Sequence, residues 1–173
     1  MNYRFLDTPV GRLLLARDDA GLRLIHFNGP AEAGPYVRDQ RLPAADWQQH
    51  DAAFEDVVSQ LTEYFEGKRR RFDLPLAPEG TPFQQRVWNA LMDIPYGETI
   101  SYGELARRVG NPNASRAVGA ANGQNPIPIV IPCHRVIGAN GKLTGFGGGL
   151  PIKERLLALE ARVGQDGILR AGC

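Results

Sequence analysis

Asn125-Pro-Ile-Pro-Ile-Val-Ile-Pro-Cys-His-Arg-Val136 is the stretch around which the rest of the chain is organised. Pro126, Pro128 and Pro132 each fix φ and remove a backbone donor. The residue before each proline is pushed toward extended geometry. The segment is therefore expected to be neither helix nor central strand, but a stiff apolar backbone that ends by presenting Cys133 and His134. An apolar run of this kind has to be covered, which points to a thiol in a partly buried pocket beside a potential base. Most buried cysteines are only small core hydrophobes. The proline frame and the adjacent imidazole favour the chemical reading.

Working outward, 173 residues suffice for one substantial core, or one core and a smaller domain. A composition 43% hydrophobic and 23% charged excludes a disordered chain. No apolar run reaches the length of a membrane span, and the N-terminus lacks a basic region followed by an apolar one. A cytoplasmic protein with no membrane contact is expected. The second cysteine, Cys173, reads as a dispensable thiol at a frayed end rather than half of a disulfide. The three histidines, His26, His50 and His134, have no metal-ligand spacing, so neither metal nor other cofactor is expected. Residues 1–80 carry 10 Lys/Arg against 13 Asp/Glu, and residues 81–173 carry 10 against 6. The second part is thus modestly basic, compatible with nucleic acid but short of an electrostatically driven binder.

On the N-terminal side, Tyr3, Phe5, Leu13-Leu-Leu15, Leu22, Leu24 and His26 read as antiparallel strands. Breaks fall at Thr8–Gly11 and at Asp18–Gly21, the latter a good hairpin turn. His26 reads as a structural or surface histidine rather than a site. Residues 28–49 are polar, with Gly and Pro, and are expected to form a long loop. Ala52–Phe65 is expected to be helical, with Phe54, Val57, Val58, Leu61 and Phe65 on one face and Gly67 as its stop. Lys68-Arg-Arg-Arg71 reads as a solvated turn rather than a nucleic-acid patch. Phe72–Leu76 reads as an edge strand. The helix-breaking Pro75–Gly80 marks a boundary between an N-terminal α/β domain (1–76) and a C-terminal domain (81–165).

The C-terminal domain opens with a capping box and an N1 proline at Thr81-Pro-Phe-Gln84. Phe83, Val87, Leu91 and Ile94 make one helical face, stopped by Pro95-Tyr-Gly97. A second capping box, Ser101-Tyr-Gly-Glu104, opens a short helix through Val109. Gly110–Asn113 turns, and Ala114–Gln124 resumes as helix, which describes a helix-turn-helix. Nearly every side chain of that second helix is small, suiting either close helix packing or close approach to a partner surface. Arg116, its one long cation, sits near the N-terminus where the macrodipole disfavours positive charge. A last helix is expected over Pro151–Gly164. Ile152, Leu156, Leu159 and Val163 form a stripe about 60° wide on it. Glu160 falls within the apolar arc, either at an edge reaching solvent or buried with a partner, for which His134 is the candidate. The fold class is α+β: a small N-terminal antiparallel sheet with a helix, then a mostly helical C-terminal domain.

A thiol of pKa ~8.5 is mostly protonated at neutral pH. His134 can take its proton directly or through one water, and Glu160 can orient and stabilise the imidazolium. Adjacent residues of an extended segment point opposite ways, which favours the water bridge. A Cys-His-Glu set would also suit a cysteine hydrolase, which needs an oxyanion hole and water access. The helix pair lying just ahead of the nucleophile separates the two readings.

Ile131-Pro-Cys-His-Arg-Val136, preceded by Gly123-Gln-Asn-Pro126 and followed by Gly145-Phe-Gly-Gly-Gly149, closely resembles the active-site signature of the O6-alkylguanine-DNA alkyltransferases. These are the methylated-DNA–protein-cysteine methyltransferases, and the resemblance runs from about Thr81 to Glu160. It implies a single-turnover repair of double-stranded DNA. O6-alkylguanine (chiefly O6-methylguanine, with O4-alkylthymine left open) is flipped out of the duplex and its alkyl group moves irreversibly to Cys133. His134 and Glu160 match the base and orienter, Asn125 the residue that orders the site turn, and Tyr102 the donor toward N3 of the leaving guanine. Arg116 matches the finger that takes the place of the flipped nucleotide. Its helix enters the minor groove, with Ser115, Ala117, Ala121 and Gly123 against the DNA beside Tyr102. Pro132, Val136, Phe146, Gly147 and Gly148 match the pocket wall. Phe146 stands where some members have tyrosine and Gly147 where some have serine, so backbone donors must serve O6. Lesion-binding relatives lack the nucleophile, which Cys133 supplies here. A monomer is expected, nucleoid-associated when on DNA, with cooperativity on DNA left open and the N-terminal part a scaffold.

Overall fold

In the computed structural model Leu13, Leu14, Leu15 and Ala16 are all shielded from solvent. Four consecutive residues are buried together in a strand covered on both faces. They form the middle of β2 (Gly11–Asp18). The structure describes residues 1–27, 46–143, 146 and 149–171, with side chains to Val163 in the last helix. It divides into two compact units, Met1–Glu79 and Gly80–Cys173.

In the first unit β1 (Asn2–Thr8) and β3 (Gly21–Phe27) flank β2 in antiparallel register, and β4 (Gln48–Gln49) joins the far edge parallel to β1. The β1–β2 turn is tied by Thr8, whose hydroxyl donates to the Gly11 carbonyl at 2.7 Å and accepts the Val10 N–H at 3.2 Å. Gly21 is required for two reasons: its φ is +140°, and a Cβ there would stand 2.5 Å from the Pro75 carbonyl oxygen. That approach lets Leu22 and Pro75–Ala77 exchange two backbone bonds of 2.8 Å. The edge strand expected over 72–76 amounts to this single bridge, Leu22 with Leu76. Pro75 has no N–H with which to extend it.

The expected helix begins as a 3-10 turn (Asp51–Phe54) and continues as α1 (Glu55–Phe65). It buries Phe54, Val57, Leu61 and Tyr64; Tyr64, not Phe65, completes the face. Its end follows the two-bond glycine cap. Lys68 N–H donates to Glu63 at 2.8 Å and Gly67 N–H to Tyr64 at 3.0 Å, with Gly67 at φ +75°. Lys68 and Arg69 then pair with carboxylates at the end of α1, Lys68 with the C-cap Glu66 at 3.0 Å and Arg69 with Glu63 at 2.8 Å. Of the long loop expected over 28–49, residues 28–45 lie outside the described residues.

In the second unit the Thr81 capping box is complete, with Gln84 N–H to Oγ1 at 3.1 Å and Thr81 N–H to Gln84 Oε1 at 2.9 Å. It opens α2 (Pro82–Met92), which buries Val87, Trp88 and Leu91. Trp88 Nε1 donates to the Ala121 carbonyl at 2.9 Å, fixing α2 against α4 (Ser115–Gly123). The second capping box is only half made. Glu104 N–H reaches Ser101 Oγ at 3.1 Å, but the Glu104 carboxylate turns to Arg107 at 2.9 Å and Arg108 at 3.2 Å. Opposite charges three and four residues on compete for it successfully. The helix it opens is α3 (Tyr102–Arg108), preceded by β5 (Ile100–Ser101), which pairs in parallel with β6 (Val136–Ile137).

The last helix, α5, runs Leu150–Ala171, past the stop expected at Gly164. A glycine costs a helix interior about 1 kcal/mol but does not break it. Its buried face is also rotated from the expected stripe: Lys153, Leu156 and Glu160 are buried, while Ile152, Leu159 and Val163 are half-buried. Among the described residues no helix is long and apolar enough to cross a membrane.

Candidate active site

Asn125 shapes the proline segment with both ends of its amide. Oδ1 accepts the Ile127 N–H at 2.9 Å and Nδ2 donates to the Ile131 carbonyl at 2.8 Å. Ile131 N–H closes a turn onto the Ile127 carbonyl at 2.9 Å, and Ile129 within it is held at φ +73°. A β-branched residue in that region is strained, and the Asn125 clamp is what maintains it. Pro132, at φ −81° and ψ 64°, then centres an inverse γ-turn, with Cys133 N–H donating to Ile131 at 2.8 Å.

Cys133–Arg135 follow as one 3-10 turn, because the Pro132 carbonyl accepts the Arg135 N–H at 3.1 Å. This corrects the expectation of extended backbone at Cys133 and His134. Their side chains diverge by the pitch of a tight turn, not by strand alternation. Both are buried, at 4% and 0% exposure. Asn122, on the inner face of α4, directs Nδ2 toward the Cys133 carbonyl at 3.4 Å.

Glu160, on α5, is buried and not at a solvent edge. His134 Nε2 lies 2.5 Å from its Oε2; Arg135 Nε donates to Oε1 at 2.7 Å and the Gly97 N–H to the same oxygen at 3.3 Å. Burial alone would raise the Glu160 pKa, but His134 and Arg135 reverse this and bring it to about 2. Burial lowers the pKa of His134 against the pull of Glu160, so the ring is neutral at pH 7. An ionised carboxylate only accepts, so Nε2 carries the ring hydrogen and Nδ1 keeps its lone pair. Among the described residues Nδ1 has no hydrogen-bond partner. Burial pushes the Cys133 thiol up to about 11, against smaller opposing pulls from Asn125 and Lys153. The resting site is therefore a protonated thiol with a neutral base whose acceptor nitrogen is uncommitted.

Arg135 and Lys153 were not anticipated from sequence. Arg135 also donates to the Ile94 carbonyl at 2.7 Å and lies over the Tyr96 ring at 5.6 Å. Lys153 Nζ donates to the Val136 carbonyl at 2.6 Å, and burial lowers its pKa. The available signal was position: Lys153 precedes Glu160 by seven residues, on the same helical face. Asn122, another omission, sits four residues after the buried Val118 on α4.

The residues expected at DNA divide. Arg116, Ala117 and Gly123 are exposed, and Ser115 and Tyr102 are half-buried. No described residue engages the Arg116 guanidinium. Ala121 is 2% exposed and packs inward where its carbonyl holds Trp88, so it is not available to a partner. Of the expected pocket wall, Pro132, Val136 and Phe146 are buried. Gly147 and Gly148 lie outside the described residues, as do Gly145 and Cys173. Among the described residues no three His, Cys, Asp or Glu side chains form a metal-binding group.

Comparison with known proteins matches both parts of the chain. Residues 1–78 match the ribonuclease-like domain of 6-O-methylguanine DNA methyltransferase, and residues 82–162 match its DNA binding domain. The chain is similar to the methylated-DNA–protein-cysteine methyltransferase of Methanosarcina acetivorans, 51% identical over 161 residues, covering 92% of this chain and 98% of that one. The protein of the same name from Mycolicibacterium paratuberculosis is 50% identical over 166 residues, covering 94% and 93%. Among solved structures, Mycobacterium tuberculosis OGT in complex with DNA superposes with a TM-score of 0.83 at 48% identity, over 94% of each chain.

Proposed function

We infer the role of each residue from one premise: the chain belongs to the 6-O-methylguanine DNA methyltransferase family. As a methylated-DNA–protein-cysteine methyltransferase it binds DNA and repairs it by transferring an alkyl group to one of its own cysteines. Cys133 is the acceptor and O6-alkylguanine the substrate. The observation that carries this assignment is the contact of His134 with an ionised Glu160, which leaves Nδ1 as a bare acceptor on the residue next to the thiol.

The lesion is flipped out of the stack, at a cost of a few kcal/mol, into a site walled by Pro132, Val136 and Phe146. Sγ attacks the alkyl carbon in line with the C–O6 bond. The S–C bond forms as C–O6 breaks, and the electron pair leaves with guanine. The thiol proton passes to His134 Nδ1, directly or through a water, while Tyr102 donates toward N3 of the departing base. In net terms the thiol hydrogen ends on guanine and the alkyl group on sulfur. A thioether cannot be displaced again under these conditions, so each chain acts once.

Arg116, uncommitted on the exposed face of α4, fills the space of the flipped nucleotide. Ala117 and Gly123 let that helix lie shallowly in the minor groove, reading phosphates and shape rather than sequence. Helices α3 and α4 act together as a helix-turn-helix. Residues 81–165 carry out the chemistry and residues 1–76 serve as scaffold. The chain acts as a cytoplasmic monomer, at the nucleoid when on DNA.

Intact mass after incubation with a duplex carrying one O6-methylguanine tests this reading, with Cys133→Ala in parallel. The expected result is a gain of one methyl per wild-type chain, mapped to Cys133, and none in the variant. Binding without mass gain would replace the transferase with a lesion-binding module.

A further inference from the structure

Arg135 is the least explained charge in the site. It is 6% exposed, and its guanidinium is spent on Glu160 Oε1 at 2.7 Å, the Ile94 carbonyl at 2.7 Å and the Tyr96 ring face. So committed, it reaches neither DNA nor a substrate. Yet it holds the oxygen of Glu160 opposite the one that faces His134.

We propose that Arg135 is a positioning residue that sets the tautomer of His134. By locking Glu160 as an acceptor-only carboxylate, it forces the ring hydrogen onto Nε2 and leaves Nδ1 bare to receive the Cys133 proton. The inference rests on the reading of His134 as the base. Its alternative state is concrete. A protonated Glu160 would donate its O–H to Nε2, which drives the ring hydrogen to Nδ1, and that ring cannot accept from the thiol. A buried carboxylate beside a neutral imidazole drifts toward that state, because burial disfavours the ionised form. A guanidinium opposes the drift permanently, since it does not deprotonate. Lys153 cannot substitute. Its Nζ is directed at the Val136 carbonyl, at 2.6 Å, and not at the carboxylate.

Among the described residues, the following groups face this system. Glu160 meets His134, Arg135 and the Gly97 N–H; His134 meets Glu160, with Arg135 and Lys153 acting on it as charges; the thiol meets Asn125 and Lys153.

The test combines 15N NMR of the His134 ring with single-turnover methyl transfer against pH, read by intact mass on the O6-methylguanine duplex. Wild type is expected to hold the Nε2–H tautomer across about pH 6–8, around the ordinary histidine pKa. In R135M the ring hydrogen should move to Nδ1 and transfer should slow about 10²-fold, the lower range for loss of a positioned base. The R135M rate should also rise with pH where wild type is flat, while duplex binding stays within about twofold. R135K should keep the tautomer and restore most of the rate. If R135M does not fold, R135Q, which keeps donors without charge, is read in its place with the same expectations. A wild-type ring protonated at Nδ1, or an uncharged variant that is slow yet keeps Nε2–H, overturns the proposal. A wild type that gains no methyl group overturns instead the transfer reading beneath it.

Discussion

A buried thiol beside a neutral imidazole is a weak nucleophile until its proton is taken. Burial raises Cys133 to about 11, so activation has to come from contact with His134. Replacing Glu160 with Gln should therefore slow methyl transfer by about 10²–10⁴-fold while lesion binding persists, as single-turnover rates and gel shifts would show. The same groups set the acid stability. His134 has a folded pKa below its ordinary 6.5, so the unfolded chain takes up its proton first and stability falls as pH drops below about 6.5. Glu160, at about 2 against 4.5, stabilises the fold above pH 4.5, and that contribution is lost as pH falls toward 2. It is on the order of 3 kcal/mol. Thermal melts between about pH 3 and 8 should show both stages, and His134→Asn should remove the upper one. Cys133, His134 and Glu160 were legible because each is a reactive group in an unlikely setting. Arg135 and Lys153 were not, since charges bordering an apolar arc read as solvent-facing, and burial of this pair depends on carbonyls of Ile94 and Val136 that no local pattern reveals.

Helix beginnings could be read residue by residue because a cap is a local hydrogen-bond arrangement. Thr81 and Gln84 exchange both bonds, whereas Ser101 and Glu104 exchange one because Arg107 and Arg108 draw the carboxylate away. Thr81→Ala should cost about 1 kcal/mol in a thermal melt without altering methyl transfer. Ends were less legible: Gly67 stops α1, but Gly164 lies within α5. A glycine ends a helix only where the following backbone can turn back onto its carbonyls. Helix α4 showed small side chains but not which face they serve. Ala121 lies against α2 and Ala117 faces solvent. Ala121→Leu should overpack the core and cost about 1–3 kcal/mol. Ala117→Leu should leave the melting temperature in place and weaken duplex binding, by obstructing close approach. If both variants lost stability equally and bound DNA equally, α4 would be a packing helix only.

Each unit of the molecule has its own apolar core, one under β2 and α1, the other around Trp88, Leu91 and Leu156. The charge is divided between the same parts: residues 1–80 carry three more acids than bases, and residues 81–173 four more bases than acids. That surplus is small for a DNA-binding surface, and part of it is masked. Glu104, held ionised chiefly by its hydrogen bond to Arg107 and then Arg108, neutralises cations on the helix that we place at the DNA. Removing the carboxylate should release both guanidinium groups to phosphates. Each phosphate neutralised steepens the dependence of log affinity on log salt by about 0.9. Glu104→Gln should therefore bind undamaged duplex more tightly at low salt, with a slope steeper by about 1–2. Its methyl-transfer rate on a saturating lesion should not change, because Cys133, His134 and Glu160 do not contact it. An unchanged slope would place Arg107 and Arg108 away from the backbone and turn the docking face toward Arg116 alone.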